Sequence, residues 1–94
     1  MKVLPPSNPA DAYGLLRSAI DDADPVLFIE NMPGYWARGE APAAGHRVPI
    51  GAASVVATGS DITIVGYSRM LNECRAALDP LREAGVSVEL IDLR

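Results

Sequence analysis

Along the first third of the chain the apolar positions Ala12, Leu15, Leu16, Ala19 and Ile20 recur at i, i+3, i+4, i+7 and i+8, the spacing that lays one apolar stripe along a helix. The polar residues beside them supply its start. Asn8 can cap with its side-chain oxygen, Pro9 suits the first helical position, where no N–H is needed, and Asp11 faces the positive helix end. A helix over about residues 9 to 22 is predicted. The period then changes, because Pro25-Val26-Leu27-Phe28-Ile29-Glu30 is a continuous apolar run of strand length, the pattern of a strand covered on both faces in a parallel sheet. Lys2-Val3-Leu4 forms a shorter strand ahead of the helix and completes a βαβ unit.

The second half repeats the order. Asp61 to Gly66 reads as a strand, about Ser68 to Ala84 as a helix, and Val86 to Ile91 as a strand. Gly85 stands where a left-handed cap ends a helix. Pro80 removes a backbone hydrogen bond inside that helix, at a cost of up to ~3 kcal/mol, and predicts a kink. Ile50 to Ala57 adds a short strand, with Thr58 to Asp61 as the turn. Between the halves, residues 31–49 hold Pro33, Gly34, Gly39, Pro42, Gly45 and Pro49, a density of breakers that excludes helix and sheet. Such a linker is ordered only by packing on its neighbours. The expected fold is therefore α/β, with two partial parallel βαβ blocks, residues 1–30 and 50–94, joined by an irregular linker.

Composition narrows the function classes. A chain of 94 residues, 49% hydrophobic with a net charge of −4, makes one folded unit with a modest core. Eight Lys and Arg against twelve Asp and Glu supply no basic stripe, which argues against nucleic acid. Apolar runs fall far short of the ~20 residues that span a bilayer, and the first residues carry no apolar signal region, so no membrane partner and a cytoplasmic location are expected. The single cysteine, Cys74, excludes an internal disulfide and shares helical spacing with Met70, Leu71, Ala77, Leu78 and Leu81, which favours packing over nucleophilic chemistry. His46, the only histidine, has no cysteine or second histidine near it in the linker, and a surface role is expected.

Two helix ends carry more. Asp21, Asp22 and Asp24 sit at the C-terminal end of the first helix, where acidic groups oppose the macrodipole and its unpaired carbonyls unless water or a cation offsets them. Backbone and carboxylate oxygens together suit a hard cation. At the other end, Gly66-Tyr67-Ser68-Arg69 follows a strand and opens the second helix, a place where anions bind, although Ser68 as a plain N-cap and Arg69 as a solvated side chain also fit. Trp36, the only tryptophan, can anchor a partner or pack over a domain edge.

Taken in order, Lys2-Val3-Leu4-Pro5-Pro6-Ser7-Asn8-Pro9, Asp11-Ala12-Tyr13-Gly14-Leu15-Leu16, Ala19-Ile20-Asp21-Asp22, Asp24 to Glu30, Gly39-Glu40-Ala41-Pro42, Val48-Pro49-Ile50-Gly51, Asp61 to Val65 and Val88 to Arg94 resemble the middle of one subunit type. It is the β subunit of the thiamine-diphosphate-dependent decarboxylating component of 2-oxoacid dehydrogenase complexes, a transketolase-like family. The resemblance covers nearly the whole chain. It implies that residues 1–30 end a pyrimidine-binding domain and residues 50–94 begin a transketolase C-terminal-like domain. It also implies an α-subunit partner, in an assembly of two α and two β subunits that serves a lipoyl-bearing acyltransferase core. The parent reaction is oxidative decarboxylation of a 2-oxo acid with acyl transfer to lipoamide. By the same resemblance, Ala19, Ile20, Asp22 and Asp24 match a structural potassium site built largely from backbone carbonyls.

The family's catalytic glutamate and histidine segments and its magnesium–diphosphate motif have no counterpart in this sequence. Thiamine diphosphate and magnesium thus belong to the parent assembly, and the chain is expected to be inactive alone. Two readings follow: a scaffold and assembly part of such a β subunit, or a stand-alone α/β binding module without catalysis. In either, outer strands left as sheet edges invite homo-oligomers.

Overall fold

A computed structural model describes residues 1–94. The first block is β1 (Lys2–Leu4), α1 (Pro9–Ile20) and β2 (Val26–Phe28). β1 and β2 pair in parallel with Val3 opposite Leu27, so α1 is their crossover. Its start follows the sequence: Asn8 is extended and its side-chain oxygen accepts the Asp11 N–H at 2.9 Å, with Pro9 in the first turn. The helix ends two residues early: the Asp21 N–H still reaches the Arg17 carbonyl four residues back at 3.3 Å, but the Asp22 N–H donates to the Ala19 carbonyl three residues back at 3.3 Å, a tightened last turn.

The apolar pattern promised more cover than this block receives. Leu4, Leu15 and Val48 form its buried centre, with Ala19, Val26, Phe28 and Ile50 against it. Yet Leu16 and Ile20 on α1, and Leu27 on β2, are exposed by 43%, 74% and 47%. Only one face of the β1–β2 pair is packed. α1 and the linker lie against that face, and the other face, with Val3 and Leu27 side by side, has nothing over it.

The linker makes a short 3₁₀ helix at Met32–Trp36 and later straps onto α1. The Val48 N–H donates to the Gly14 carbonyl at 3.2 Å, and the Ser18 hydroxyl donates to the Val48 carbonyl at 2.7 Å. His46 is consequently drawn against α1. A Cβ on Gly14 would lie 2.6 Å from Val48 Cγ2 and 2.9 Å from the His46 ring. The strap therefore requires a residue with no side chain at that point on the helix.

The second block is β3 (Ser54–Ala57), β4 (Ile62–Gly66), α2 (Ser68–Glu83) and β5 (Val88–Asp92). β4 and β5 are parallel, with Ile62 opposite Val88 and Gly66 opposite Asp92, and α2 crosses over between them. β3 joins the other edge of β5 in antiparallel sense, with a bulge between Val55 and Ala57, so this sheet is mixed rather than wholly parallel. Leu71 of α2 and Val88 and Leu90 of β5 are its buried apolar residues. The helix runs past Pro80 to Glu83, and Gly85 at φ +80° closes it with Val86 donating to the Leu81 carbonyl at 2.9 Å. No helix is long and apolar enough to cross a membrane.

Gly14→Ala is expected to lower stability by about 1–3 kcal/mol through overpacking, although alanine is the better helix former by ~1 kcal/mol. Chemical denaturation of the two proteins measures it; an unchanged or raised midpoint would show that the strap yields freely.

Candidate functional site

The two blocks meet along a polar seam. Ser7, just before α1, donates its hydroxyl to Asp92 Oδ1 at 3.1 Å, and Asn72 of α2 donates to the Ser7 carbonyl at 3.0 Å. Arg94 grips Asp11 through Nε and Nη2, each at 3.1 Å from a carboxylate oxygen. Asp92 and Asp11 are 1% and 5% exposed, and buried carboxylates persist only when partnered in this way.

Above the seam lies an open cleft of about 610 Å³, between the first turns of α1 and α2 and the 3₁₀ helix. Ser7, Asn8, Glu30, Tyr35, Ser68 and Arg69 are among its walls. Two of the three side chains picked out at the second helix end and the linker meet here. Trp36 does not: it is 86% exposed and lies outside the cleft wall. Nor is Ser68 an N-cap. Tyr67 takes that position without a side-chain cap bond, and Ser68 is the first helical residue, at φ +52° and 9% exposed. Its hydroxyl is open to solvent, and the one buried side-chain polar atom without a partner is Arg17 Nε. Arg69 leans on Glu73 one turn along, Nε to carboxylate oxygen at 3.3 Å, with both side chains exposed. The Tyr35 hydroxyl donates to Glu30 at 2.7 Å, and that carboxylate holds the phenol above its ordinary range.

The acidic exit of α1 is partly offset from within the chain, two cations facing three carboxylates. Lys2 Nζ reaches Asp22 at 2.7 Å and Asp24 at 3.2 Å, and Arg47 pairs with Asp21 at 2.5 Å. The Lys2 hydrogen bond, followed by the Asp24 N–H at 2.8 Å, lowers the Asp22 carboxyl below its ordinary value. The bonds to Asp22 and then Asp24 raise the Lys2 ammonium. Lys2 and Arg47 went unrecognised in the sequence because they lie 20 and 26 residues from their partners. One signal did point to Lys2: parallel pairing of β1 with β2 sets it opposite Val26, beside the aspartate turn. The Asp24 N–H serves the Asp22 carboxylate and so does not bond the Ile20 carbonyl one turn back. The arrangement leaves backbone oxygens as the donors for any metal ion, since no three His, Cys, Asp or Glu side chains converge.

Residues 51–94 match the family described as "Transketolase, C-terminal domain". Over 95 aligned residues that take in the whole chain, it is 45% identical to the pyruvate dehydrogenase E1 component subunit beta of Acholeplasma laidlawii. It is 41% identical to the 2-oxoisovalerate dehydrogenase subunit beta of Bacillus subtilis over the same length. Along its whole length the chain is similar to the β subunits of 2-oxoacid dehydrogenases. It spans about 29% of the length of these curated relatives. It also superposes on a solved structure titled "Split gene transketolase, inactive beta4 tetramer" with a TM-score of 0.79 and 25% identity, covering 98% of this chain and 30% of that one.

The family implies thiamine diphosphate in the whole enzyme, and the residues of this chain do not fit it. Its one histidine lies against α1, and none of its glutamates is buried. No catalytic step can be assigned to this segment.

The Lys2–Asp22 pair sets a pH dependence. Asp22 has a lowered folded-state value, so its contribution is present above about pH 4, the ordinary carboxylate value, and is lost as the pH falls through the lower folded-state value. Thermal melts between pH 7 and 2 should show this loss in the native chain and a flatter profile in Lys2→Met. Parallel profiles would mean that the pair adds nothing.

Proposed function

We propose that the chain is the scaffold and subunit-assembly part of a 2-oxoacid dehydrogenase β subunit, inactive by itself. Its parent reaction is oxidative decarboxylation of a 2-oxo acid with acyl transfer to lipoamide. The observation that carries this is similarity along the entire chain, 45% identity to one β subunit. In this reading residues 1–30 close the pyrimidine-binding domain, residues 31–49 link, and residues 50–94 open the C-terminal domain. The partner is the α subunit, two of each per assembly, with a lipoyl acyltransferase core beyond it, all in the cytoplasm. The assembly holds thiamine diphosphate and magnesium. The bare apolar face at Val3 and Leu27 supports the reading, because burying such a side chain stabilises by roughly 1.5–3 kcal/mol and a larger subunit or partner supplies the cover.

A second reading is favoured by one observation, the likeness to an inactive tetramer of β-type transketolase subunits. Here the chain is a non-catalytic assembly module that pairs with its own copies through the open edges of β1, β2 or β4.

A potassium ion at the acidic exit belongs to the first reading. The carbonyl oxygens of Ala19, Ile20, Asp22 and Asp24 would hold it, with the Asp22 and Asp24 carboxylates turned to Lys2. The unbonded Ile20 carbonyl supports this placement, since a backbone oxygen of this kind suits a hard cation.

Isothermal titration of the purified chain with thiamine diphosphate and magnesium should give no binding heat. Micromolar binding by the chain alone would overturn the assignment to scaffold. Potassium chloride should raise the melting temperature above that in tetramethylammonium chloride at equal ionic strength; equal values would remove the ion from the acidic exit.

A further inference from the structure

The apolar arc of α1 is wider than the sheet it packs on. Leu15 and Ala19 face the core, while Tyr13, Leu16 and Ile20 continue the arc onto open surface. Arg17 stands among them, and the four positions, at i, i+3, i+4 and i+7, form one line down the helix. The line is about 10 Å long, at 1.5 Å per residue.

Arg17 differs from the other cations. Of the half-buried lysines and arginines, Lys2 and Arg94 each hold a carboxylate, and Arg17 holds none. Its Nε is buried without a hydrogen-bond partner, and its two Nη groups are unbonded and open to solvent. The acid one turn on, Asp21, is spent on Arg47. The guanidinium is held instead against the Tyr13 ring, Cζ 5.6 Å from the centroid, where a cation–π contact sets a planar fork beside apolar surface. A buried N–H without an acceptor is costly, and an arginine fork fits one kind of group best, a carboxylate bonded through two nitrogens. The stripe thus carries an uncompensated positive charge in a chain whose net charge is −4.

These observations choose the occupant. The side of a helix offers no free backbone edge to an extended peptide, whereas its ridges of side chains three and four apart receive a second helix. A second copy of this chain is disfavoured, because a two-fold pairing of the stripes sets Arg17, in the middle of each, against its own equivalent. We propose that the outer stripe of α1 is a docking surface for an amphipathic helix of another protein, whose apolar ridge packs on Tyr13, Leu16 and Ile20 and whose Asp or Glu pairs with the Arg17 fork. A small turn of that fork brings Nε to the acceptor it lacks. The inference goes beyond the assembly reading, which assigns no surface on α1, and the cofactor titration does not bear on it.

The test is an NMR titration of the 94-residue chain with a helical alanine–lysine peptide of about 15 residues that carries leucines at i, i+3 and i+7 and a glutamate at i+4. A twin peptide has glutamine in place of the glutamate. Saturable shifts of the Tyr13, Leu16, Arg17 and Ile20 amides and of the Arg17 Nε–H are expected, with the glutamate peptide bound about tenfold more tightly than its twin. Non-specific attraction to a chain of net charge −4 works the other way, in favour of the glutamine peptide. Arg17→Met keeps an unbranched stem and should bind both peptides alike. Ile20→Ser, at an exposed site, should weaken both. The proposal fails if neither peptide gives saturable shifts, if the native chain does not tell the two apart, if Arg17→Met still prefers the glutamate peptide, or if Ile20→Ser leaves affinity unchanged. It also fails if the same signals move on dilution of the chain alone, which would make the stripe a contact between copies.

Discussion

Two buried carboxylates, Asp11 and Asp92, hold the molecule in one piece. Each block has a small buried centre, one of Leu4, Leu15 and Val48, the other of Leu71, Val88 and Leu90. What joins them is directional rather than apolar, an arginine fork on one aspartate and a serine hydroxyl on the other. Leaving such a carboxylate unpaired costs about 3–5 kcal/mol, a large share of the 5–15 kcal/mol that stabilises a typical domain. Asp11 belongs at once to the seam and to the start of α1, since its N–H completes the Asn8 cap. The same contact therefore orients the helix, the cleft above it and the second block.

The apolar surface has the opposite logic. Val3 beside Leu27 on the sheet, and Leu16 and Ile20 on α1, follow the sequence rules for burial and yet face outward. In a family whose β subunits are more than three times as long, a segment can keep the hydrophobic pattern of an interior element while its cover lies elsewhere.

What the sequence made legible was local chemistry. The Asn8–Pro9–Asp11 start of α1, both βαβ units, and the left-handed Gly85 all followed from cap, period and turn rules. The sense of β3 did not, because a strand of four residues reads the same in either direction and only pairing with β5 decides it. Cover over Leu27 was misjudged because a continuous apolar run tells that two faces want burial without saying what provides it. At the acidic exit the aspartates were visible, but their counter-ions Lys2 and Arg47 arrive through tertiary folding. Ser68 and Arg69 were visible as a helix end; that they share a cleft with Glu30 and Tyr35 depends on how the two blocks dock.

The strap on Gly14 also shortens the connection between the blocks. Residues 31–49 look like a long flexible tether, but Val48 is fastened to α1 and β3 begins at Ser54. The free stretch between those points is six residue steps, able to reach about 20 Å at ~3.3–3.6 Å per residue. Two bodies joined so closely see each other at an effective concentration in the millimolar range. The seam therefore does not need the affinity of a bimolecular interface. A handful of hydrogen bonds that would never hold separate proteins together is enough here, because the strap has already confined their search.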